Sequence, residues 1–263
     1  MKPIVSRDNP LYKKLKLLAT SAQARRKAGR SLLDGVHLCD AYLQHRGVPP
    51  MCVVSDTAMV NPEVAAIVMQ CDAGGGQCIS LPEALYQVLS QVEHGVSLLF
   101  VIDTPQLVAP AVLNGAAVLL DNVQDPGNLG SILRSAAAAG IVDIFCSQGT
   151  AACWSPKVLR AGMGAHFLLR LIENVNLASI LRSATVPICA TSSYASKNLY
   201  DVDLTQPVAW LFGHEGQGVA EELMALATLR VGIPQLGAVE SLNVAASAAI
   251  CFFEQVRQQR SAS

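Results

Sequence analysis

Two apolar runs of strand length, each followed by a polar, glycine-rich segment, lie between residue 116 and the end of the sequence. The runs at 116–120 and 208–212 read AAVLL and VAWLF and contain no polar residue. Strands without apolar–polar alternation are buried on both faces, which is typical of a parallel sheet covered by helices. Ligands of such sheets bind at the carboxyl ends of the strands, where these polar segments fall. The pattern predicts an α/β domain with a ligand site at that edge.

The composition favours a well-packed protein with no sign of export. Of the 263 residues, 51% are hydrophobic and 15% charged, which is enough for a core and unlike a disordered chain. No apolar run has the length of a membrane span or the position of a signal peptide. The eight cysteines are scattered, with no C-x-x-C pair and no cysteine–histidine cluster of metal-ligand spacing. We therefore expect a cytoplasmic protein without membrane contact, disulfides or bound metal.

The order of strand and helix patterns predicts two domains. Residues 1–46 read as helical, and strands alternating with helices follow them, which predicts a small α/β domain over 1–105. Residues 106–115 contain proline and glycine and few charges, and they are the predicted linker. The stronger strand–helix pattern over 116–263 predicts the parallel-sheet domain.

Positive charge is concentrated at the start of the chain. Residues 1–46 hold ten Lys and Arg residues against three acidic residues, although the whole chain carries a net charge of −1. A basic segment on an acidic body is typical of a domain that binds nucleic-acid phosphates. A solvated helix face explains the same charge equally well. The candidate nucleic-acid contacts are Arg7, Lys13, Lys14, Lys16, Arg25, Arg26 and Arg30.

The first polar loop, at 121–130, reads DNVQDPGNLG and leads into a helix predicted over 132–139. Free backbone N–H groups at a helix start suit an anion. Asn128 is predicted near the helix cap, and the guanidinium of Arg134 can reach a phosphate through two parallel hydrogen bonds. Taken alone, an ordinary N-cap and a surface charge explain these two residues as well.

The second polar loop, at 213–218, reads GHEGQG and follows the second apolar run directly. Three glycines in six residues let the backbone turn sharply and approach a ligand closely. Glu215 places a carboxylate at the end of the strand, and a lone His214 is more often structural than catalytic. The G-x-x-G-x-G spacing differs from the dinucleotide-binding fingerprint, which excludes that class of fold.

The third polar segment reads GIPQLGAVESLNV and leads into a last helix predicted from about residue 242. Ser241 is the predicted N-cap of this helix. Asn243 then falls in the first turn, with its amide free to bond a sugar or a phosphate. Without the other two loops, ordinary capping explains the segment.

Together the three loops resemble the three motifs of the SpoU–TrmH RNA methyltransferases of the SPOUT superfamily. The segments DNVQDPGNLGSILR, LFGHEGQG and IPQLGAVESLNV match those motifs in order and spacing. The resemblance covers 116–263. The first half is similar, more loosely, to the substrate-binding domain of such enzymes, through SRDNPLYKKLK and LLDGVHL. One departure is the alanine pair after SLNV, where many relatives carry a serine.

The resemblance implies a fold, a reaction and roles for particular residues. The implied fold is a parallel-sheet SPOUT domain with a C-terminal trefoil knot, dimerised through that domain with its active sites at the subunit interface. The implied reaction is metal-free methylation of an RNA ribose 2'-hydroxyl by S-adenosylmethionine (AdoMet), with ribosomal RNA favoured and transfer RNA as the alternative. The implied catalytic residues are Arg134, Asn128, Glu215, Ser241 and Asn243. The implied cofactor contacts are Gly213, Ile233 and Leu242, with Thr191, Leu211 and Gly218 nearby.

Three other functions stay open at this point. The chain could be a non-catalytic RNA-binding or ribosome-assembly factor that keeps the fold. It could be a SPOUT enzyme that methylates a base, although the SLN motif and Arg134 argue against this. The third alternative is a nucleotide-binding α/β enzyme of another kind.

Overall fold

A computed structural model describes residues 1–90, 92, 95–192, 194–239 and 241–262. Contacts between Cα atoms divide the chain into two compact units. The first comprises Met1–Pro105 together with Trp154–Phe167, and the second comprises Gln106–Cys153 and the chain from Leu168 onwards. Among the described residues, no helix combines the length and the apolar character that crossing a membrane requires.

The first unit is built on a mixed five-stranded sheet. Its strands are β1 (Lys2–Pro3), β2 (Arg30–Asp34), β3 (Met51–Ser55), β4 (Gln77–Leu81) and β5 (Leu98–Asp103), in the order β1-β4-β3-β5-β2. The β1–β4 and β3–β4 pairs are parallel, whereas β5 is antiparallel to both β3 and β2. Its helices are α1 (Pro10–Thr20), α2 (Ala22–Ala28), α3 (Val36–Arg46), α4 (Pro62–Ala73) and α5 (Glu83–Tyr86).

Helix α1 presents lysines to solvent because of where its apolar residues fall. The Asn9 side chain accepts hydrogen bonds from two backbone N–H groups of the first turn, and proline follows at the first helical position. Tyr12, Leu15 and Ala19 recur at helical spacing and are buried. The lysines between them, Lys13, Lys14 and Lys16, are exposed.

The prediction that residues 1–46 are helical throughout is wrong at β1 and β2. Gly29 has a φ of +60°, which ends α2 in the left-handed region, where glycine carries no steric penalty. The chain then extends through β2, which pairs with β5 along its whole length and buries Leu32 and Leu33. The partner strand lies about 70 residues away, so local periodicity could not reveal it.

The second unit is built on a seven-stranded sheet, as the apolar runs predict. Its strands are β6 (Ala117–Leu120), β7 (Asp143–Cys146), β8 (Arg170–Ile172), β9 (Ile188–Thr191), β10 (Lys197–Asn198), β11 (Ala209–Phe212) and β12 (Leu229–Gly232). Their order is β10-β12-β9-β11-β6-β7-β8, and every described pair is parallel. Every residue of β6 and β11 is buried, which confirms that these strands are covered on both faces.

The remaining helices are α6 (Pro126–Ala138), α7 (Pro156–Gly162), α8 (Leu177–Arg182), α9 (Glu221–Met224) and α10 (Val244–Ala262). Of these, α7 lies in the segment that belongs to the first unit, where it contacts β2. Helix α10 packs on α6. The side chain of Gln255 on α10 also accepts a hydrogen bond from the buried indole of Trp210, with Nε1 and Oε1 2.7 Å apart. The predicted domain limits and linker remain predictions, as does the trefoil knot.

Two predicted element limits in the second half are wrong. Helix α6 begins at Pro126 instead of near residue 132, because the Asp125 side chain caps it by accepting from Asn128 N at 2.8 Å. The polar loop is therefore shorter than predicted, and Asn128 lies inside the first turn. The apolar residues of 167–172 also predict a strand over that range, but the strand begins only at Arg170, since Ala165–Phe167 forms a 3-10 turn.

Candidate active site

A cavity of about 410 Å³ lies at the carboxyl ends of β9, β11 and β12. This is the edge at which the sequence predicts a ligand site. Its wall comes from the segments after these three strands and from the start of α10. The lining residues are Thr191, Ser192, Tyr194, Gly213, His214, Glu215, Gly216, Gln217, Gly218, Val219, Met224, Val231, Ile233, Gln235, Ser241, Leu242, Val244 and Ser247.

The turn after β11 is closed by its own backbone. His214 N donates to Gly218 O at 3.0 Å, and Gly218 N donates to His214 O at 2.8 Å. Gly218 has a φ of +71°, and a Cβ on Gly213 would overlap the backbone of Gly218 and Val219. Both positions therefore require glycine. The ring of His214 accepts from Gly216 N and Gln217 N through Nδ1, which is a structural role.

The carboxylate of Glu215 joins this turn to the loop after β6. Its Oε2 accepts from Gln124 N at 3.2 Å, and its Oε1 accepts from Asp125 N at 3.1 Å and from Asn128 Nδ2 at 3.0 Å. Partial burial acts to raise the pKa of Glu215. The hydrogen bonds from Asn128 and from backbone N–H groups outweigh burial, so this pKa lies below its ordinary value. The group is therefore ionised at neutral pH and binds the loop as an anion.

Asn128 in turn joins the first loop to the third. Asn243 Nδ2 donates to Asn128 Oδ1 at 2.8 Å. Asn243 Oδ1 accepts from Ala245 N and Ala246 N at 2.9 and 3.2 Å, so Asn243 is the N-cap of α10. The predicted cap at Ser241 is therefore wrong, and the amide of Asn243 is not free as predicted. Ser241 instead lines the cavity, and Glu240 lies outside the described residues.

Arg134 stands apart from the hydrogen bonds that join Glu215, Asn128 and Asn243. Its side chain is exposed on α6 and makes no hydrogen bond or ion pair with any described residue. Ser131 and Gly127, one and two turns earlier on α6, are exposed too. The guanidinium is thus available to a ligand outside the cavity wall.

The predicted cofactor contacts separate into two groups. Thr191, Gly213, Gly218, Ile233 and Leu242 line the cavity. Leu211 does not, because it is fully buried in the apolar core of the second unit.

Gln235 is among the polar residues of the wall that the sequence prediction missed. Gln235 lines the cavity, and its Oε1 is buried without a hydrogen-bond partner among the described residues. No local pattern distinguishes this glutamine from a loop residue exposed to solvent.

The predicted nucleic-acid contacts of the first unit are not equally available. The side chains of Arg7, Lys14, Lys16 and Arg26 make no hydrogen bond or ion pair with the residues that the structure describes. Lys13 pairs with Asp8, and Arg30 pairs with Asp103. Arg25 donates to the carbonyls of Leu18 and Ala19, and burial, followed by the charge of Arg26, lowers the pKa of Arg25. Arg25 therefore helps to end α1.

The described residues contain no group of three or more His, Cys, Asp or Glu side chains that could hold a metal ion. Each of the eight cysteines is buried and lies outside any disulfide.

A parallel sheet with a cavity at the carboxyl ends of its strands defines the second unit as an α/β ligand-binding fold. The model of the SpoU rRNA Methylase family matches residues 115–253. The chain therefore belongs to the SpoU rRNA methylase family, which confirms the resemblance carried by the three loops.

Relatives match the first half of the chain as well. The chain is 34% identical to an uncharacterized tRNA/rRNA methyltransferase of Synechocystis sp., over 99% of this chain and 95% of the relative. It is 30% identical to the 23S rRNA (guanosine(2553)-2'-O)-methyltransferase RlmP of Bacillus subtilis, over 96% of this chain and 98% of that protein. A solved structure of an AdoMet-bound rRNA methyltransferase from Sinorhizobium meliloti aligns with a TM-score of 0.84 and 26% identity, over 97% of each chain.

The backbone contact at Gly213 predicts how the turn responds to a methyl group. Gly213→Ala should lower the free energy of unfolding by about 1–3 kcal/mol, because the new Cβ overlaps backbone that cannot move without breaking the turn. Gly216→Ala is the matched control, since its Cβ would meet only the ring of His214, at 3.7 Å. Denaturant unfolding of the two variants measures the difference. Equal losses would contradict the rigid turn.

Proposed function

We propose that this protein transfers a methyl group from AdoMet to a ribose 2'-hydroxyl of ribosomal RNA. One observation carries the proposal: a chain of hydrogen bonds through Glu215, Asn128 and Asn243 joins three loops that lie far apart in the sequence. Arg134 stands exposed on the helix that carries Asn128. Family membership supports the reaction, and the name of the Bacillus subtilis relative supports the ribose as its target.

The cavity fits a nucleoside-bearing cofactor. Its volume of about 410 Å³ is in the range of small-molecule sites, roughly 300–1,000 Å³. Val219, Ile233 and Leu242 supply apolar wall, and Gln235 offers an acceptor without a partner among the described residues. When bound, AdoMet supplies a methyl group that is activated by the positive charge on its sulfur.

The protein's part in the reaction is alignment and charge stabilisation. Alignment of donor and acceptor can contribute roughly 7–11 kcal/mol to lowering the barrier. Glu215 holds the first loop in place, and Asn128 and Asn243 fix the position of that loop against α10. Ser241 shapes the third loop where it meets the cavity, and Thr191, Gly213, Gly218, Ile233 and Leu242 contact the cofactor. Leu211 supports the wall from the core.

Arg134 has the central role in this proposal. An arginine side chain stays protonated in proteins, so it does not serve as the base that removes the hydroxyl proton. Its guanidinium binds a phosphate of the target nucleotide and stabilises negative charge that develops on the 2'-oxygen.

The substrate is structured ribosomal RNA, and the enzyme acts on it in the cytoplasm. The exposed cations of the first unit bind the phosphates of this RNA. Transfer RNA is the second candidate, because the name of the Synechocystis relative includes both RNA classes. The lysines of α1 and the free guanidinium groups of Arg7 and Arg26 form the contact surface. Arg25 and Arg30 contribute less, since protein groups already bind them.

We propose that the enzyme is a homodimer through the second unit. Leu236, Val239 and Phe253 are large apolar side chains with exposed fractions of 104%, 62% and 48%, in the third loop and on α10. Such exposure is typical of interaction surfaces.

Sedimentation equilibrium at micromolar concentration should give the mass of two chains. The double variant Leu236→Ser with Phe253→Ser should shift the measured mass toward that of one chain, because it removes apolar surface from the interface. A monomeric wild type would contradict the dimer.

The role of Arg134 gives the central test of the proposed function. Arg134→Ala should lower the rate of methyl transfer to ribosomal RNA by two orders of magnitude or more, because it removes the cation that stabilises charge on the 2'-oxygen. Binding of S-adenosylhomocysteine should be nearly unchanged, because Arg134 lies outside the cavity wall. Nucleoside mass spectrometry of RNA from a deletion strain, treated with each variant, measures 2'-O-methylation. Arg182→Ala, an exposed arginine on α8, is the matched control. Methylation of a base, or no binding of S-adenosylhomocysteine by the wild type, would favour the rival functions.

The lysines of α1 give a prediction about salt. The double variant Lys14→Gln with Lys16→Gln should reduce the magnitude of the slope of log affinity against log salt concentration by roughly 1.5. The reason is that two phosphate contacts are lost, and with them the release of their counterions. Fluorescence anisotropy with a ribosomal RNA fragment measures the slope. The matched control is Arg182→Gln with Lys197→Gln, two exposed cations of the second unit. If both pairs give the wild-type slope, α1 is not a contact surface.

A further inference from the structure

Gln235 carries an unsatisfied acceptor on the wall of the cavity. Its Oε1 has no hydrogen-bond partner among the described residues and is shielded from solvent, although the side chain as a whole is only half-buried. Buried polar atoms in native proteins are nearly always hydrogen-bonded, and one left without a partner destabilises the fold. Because this atom belongs to a residue that lines the cavity, a ligand donor is the natural partner.

The lining residues favour an uncharged donor. A buried ammonium group needs a compensating anion. Among the described lining residues, Glu215 is the only acid, and its oxygens already accept three hydrogen bonds from the first loop. The neutral amide of Gln235 is instead accompanied by aliphatic side chains, including Val231, Ile233 and Leu242. Aliphatic walls suit the faces of a flat heterocycle, whose edge then needs a polar partner.

The adenine ring of AdoMet has an edge that a glutamine amide can read. A primary amide accepts from the 6-amino group and donates to the neighbouring ring nitrogen, the pairing by which glutamine recognises adenine in nucleic acids. The same pairing gives Gln235 Oε1 the hydrogen-bond donor that it lacks among the described residues.

We propose that Gln235 determines the base specificity of the cofactor site: its Oε1 accepts from the adenine 6-amino group and its Nε2 donates to the adjacent ring nitrogen. The inference rests on the proposed function, since it takes AdoMet as the cofactor. It goes further in naming a side chain that selects adenine over other purines.

The test compares two ligands and two proteins. The ligands are S-adenosylhomocysteine and its 6-deamino analogue, in which purine replaces adenine. Isothermal titration should show that the wild type binds the first about ten- to a hundredfold more tightly. Gln235→Met keeps the volume of the side chain and removes the amide, so its preference should fall to within about threefold. Gln148→Met, an exposed glutamine outside the cavity wall, should keep the wild-type preference.

Failure of the inference can be told apart from failure of the proposed function. If the wild type binds both ligands equally, or if Gln235→Met keeps the full preference, Gln235 does not read adenine, while the proposed reaction stands. The wild-type comparison needs no variant, so poor folding of Gln235→Met does not prevent the test. If the wild type binds neither ligand, the proposed function fails and the inference fails with it.

Discussion

The arrangement of the active site depends on the carboxylate of Glu215. It accepts two backbone hydrogen bonds and one side-chain hydrogen bond from the loop after β6, and that loop then reaches α10 through Asn128 and Asn243. Hydrogen bonds to an ionised acceptor are stronger than neutral ones. The same Asn243 caps α10, so the start of the last helix and the position of the first loop are set by one side chain.

The architecture of the second unit could be predicted because its strands have a strong local signature. Apolar runs without alternation predict burial on both faces whatever their neighbours are. The errors arose where a strand partner distant in sequence, or a helix cap within a glycine-containing segment, decides the structure. Strand β2 exists because β5 pairs with it, and a five-residue segment has no periodicity that distinguishes it from a helix. Helix α6 starts before its predicted first residue because Asp125 caps it, in a stretch whose glycines are typical of a loop.

The sequence predicted which loops converge but not how their side chains pair. The hydrogen bonds of Asn128 to Glu215 and to Asn243 span 87 and 115 residues, and no local rule assigns partners at that distance. The cap is therefore predicted at Ser241, one of several polar residues close to the helix start. It also counted Arg25 and Arg30 as free cations, because composition does not show that a helix end and a neighbouring strand engage them. Gln235 was missed because its role depends on an unpaired buried atom, and the sequence does not show which atoms lack a hydrogen-bond partner.

The first unit is discontinuous in sequence. Residues 154–167 complete it, with α7 against β2 and Phe167 in edge-to-face contact with Tyr42 of α3 at 5.4 Å. A fragment cut at residue 105 would therefore expose apolar surface that the intact chain covers. Exchange of this unit between homologous proteins would need two further cuts that flank the segment. An insertion there would perturb the first unit, even though its place in the sequence lies within the region that matches the family model.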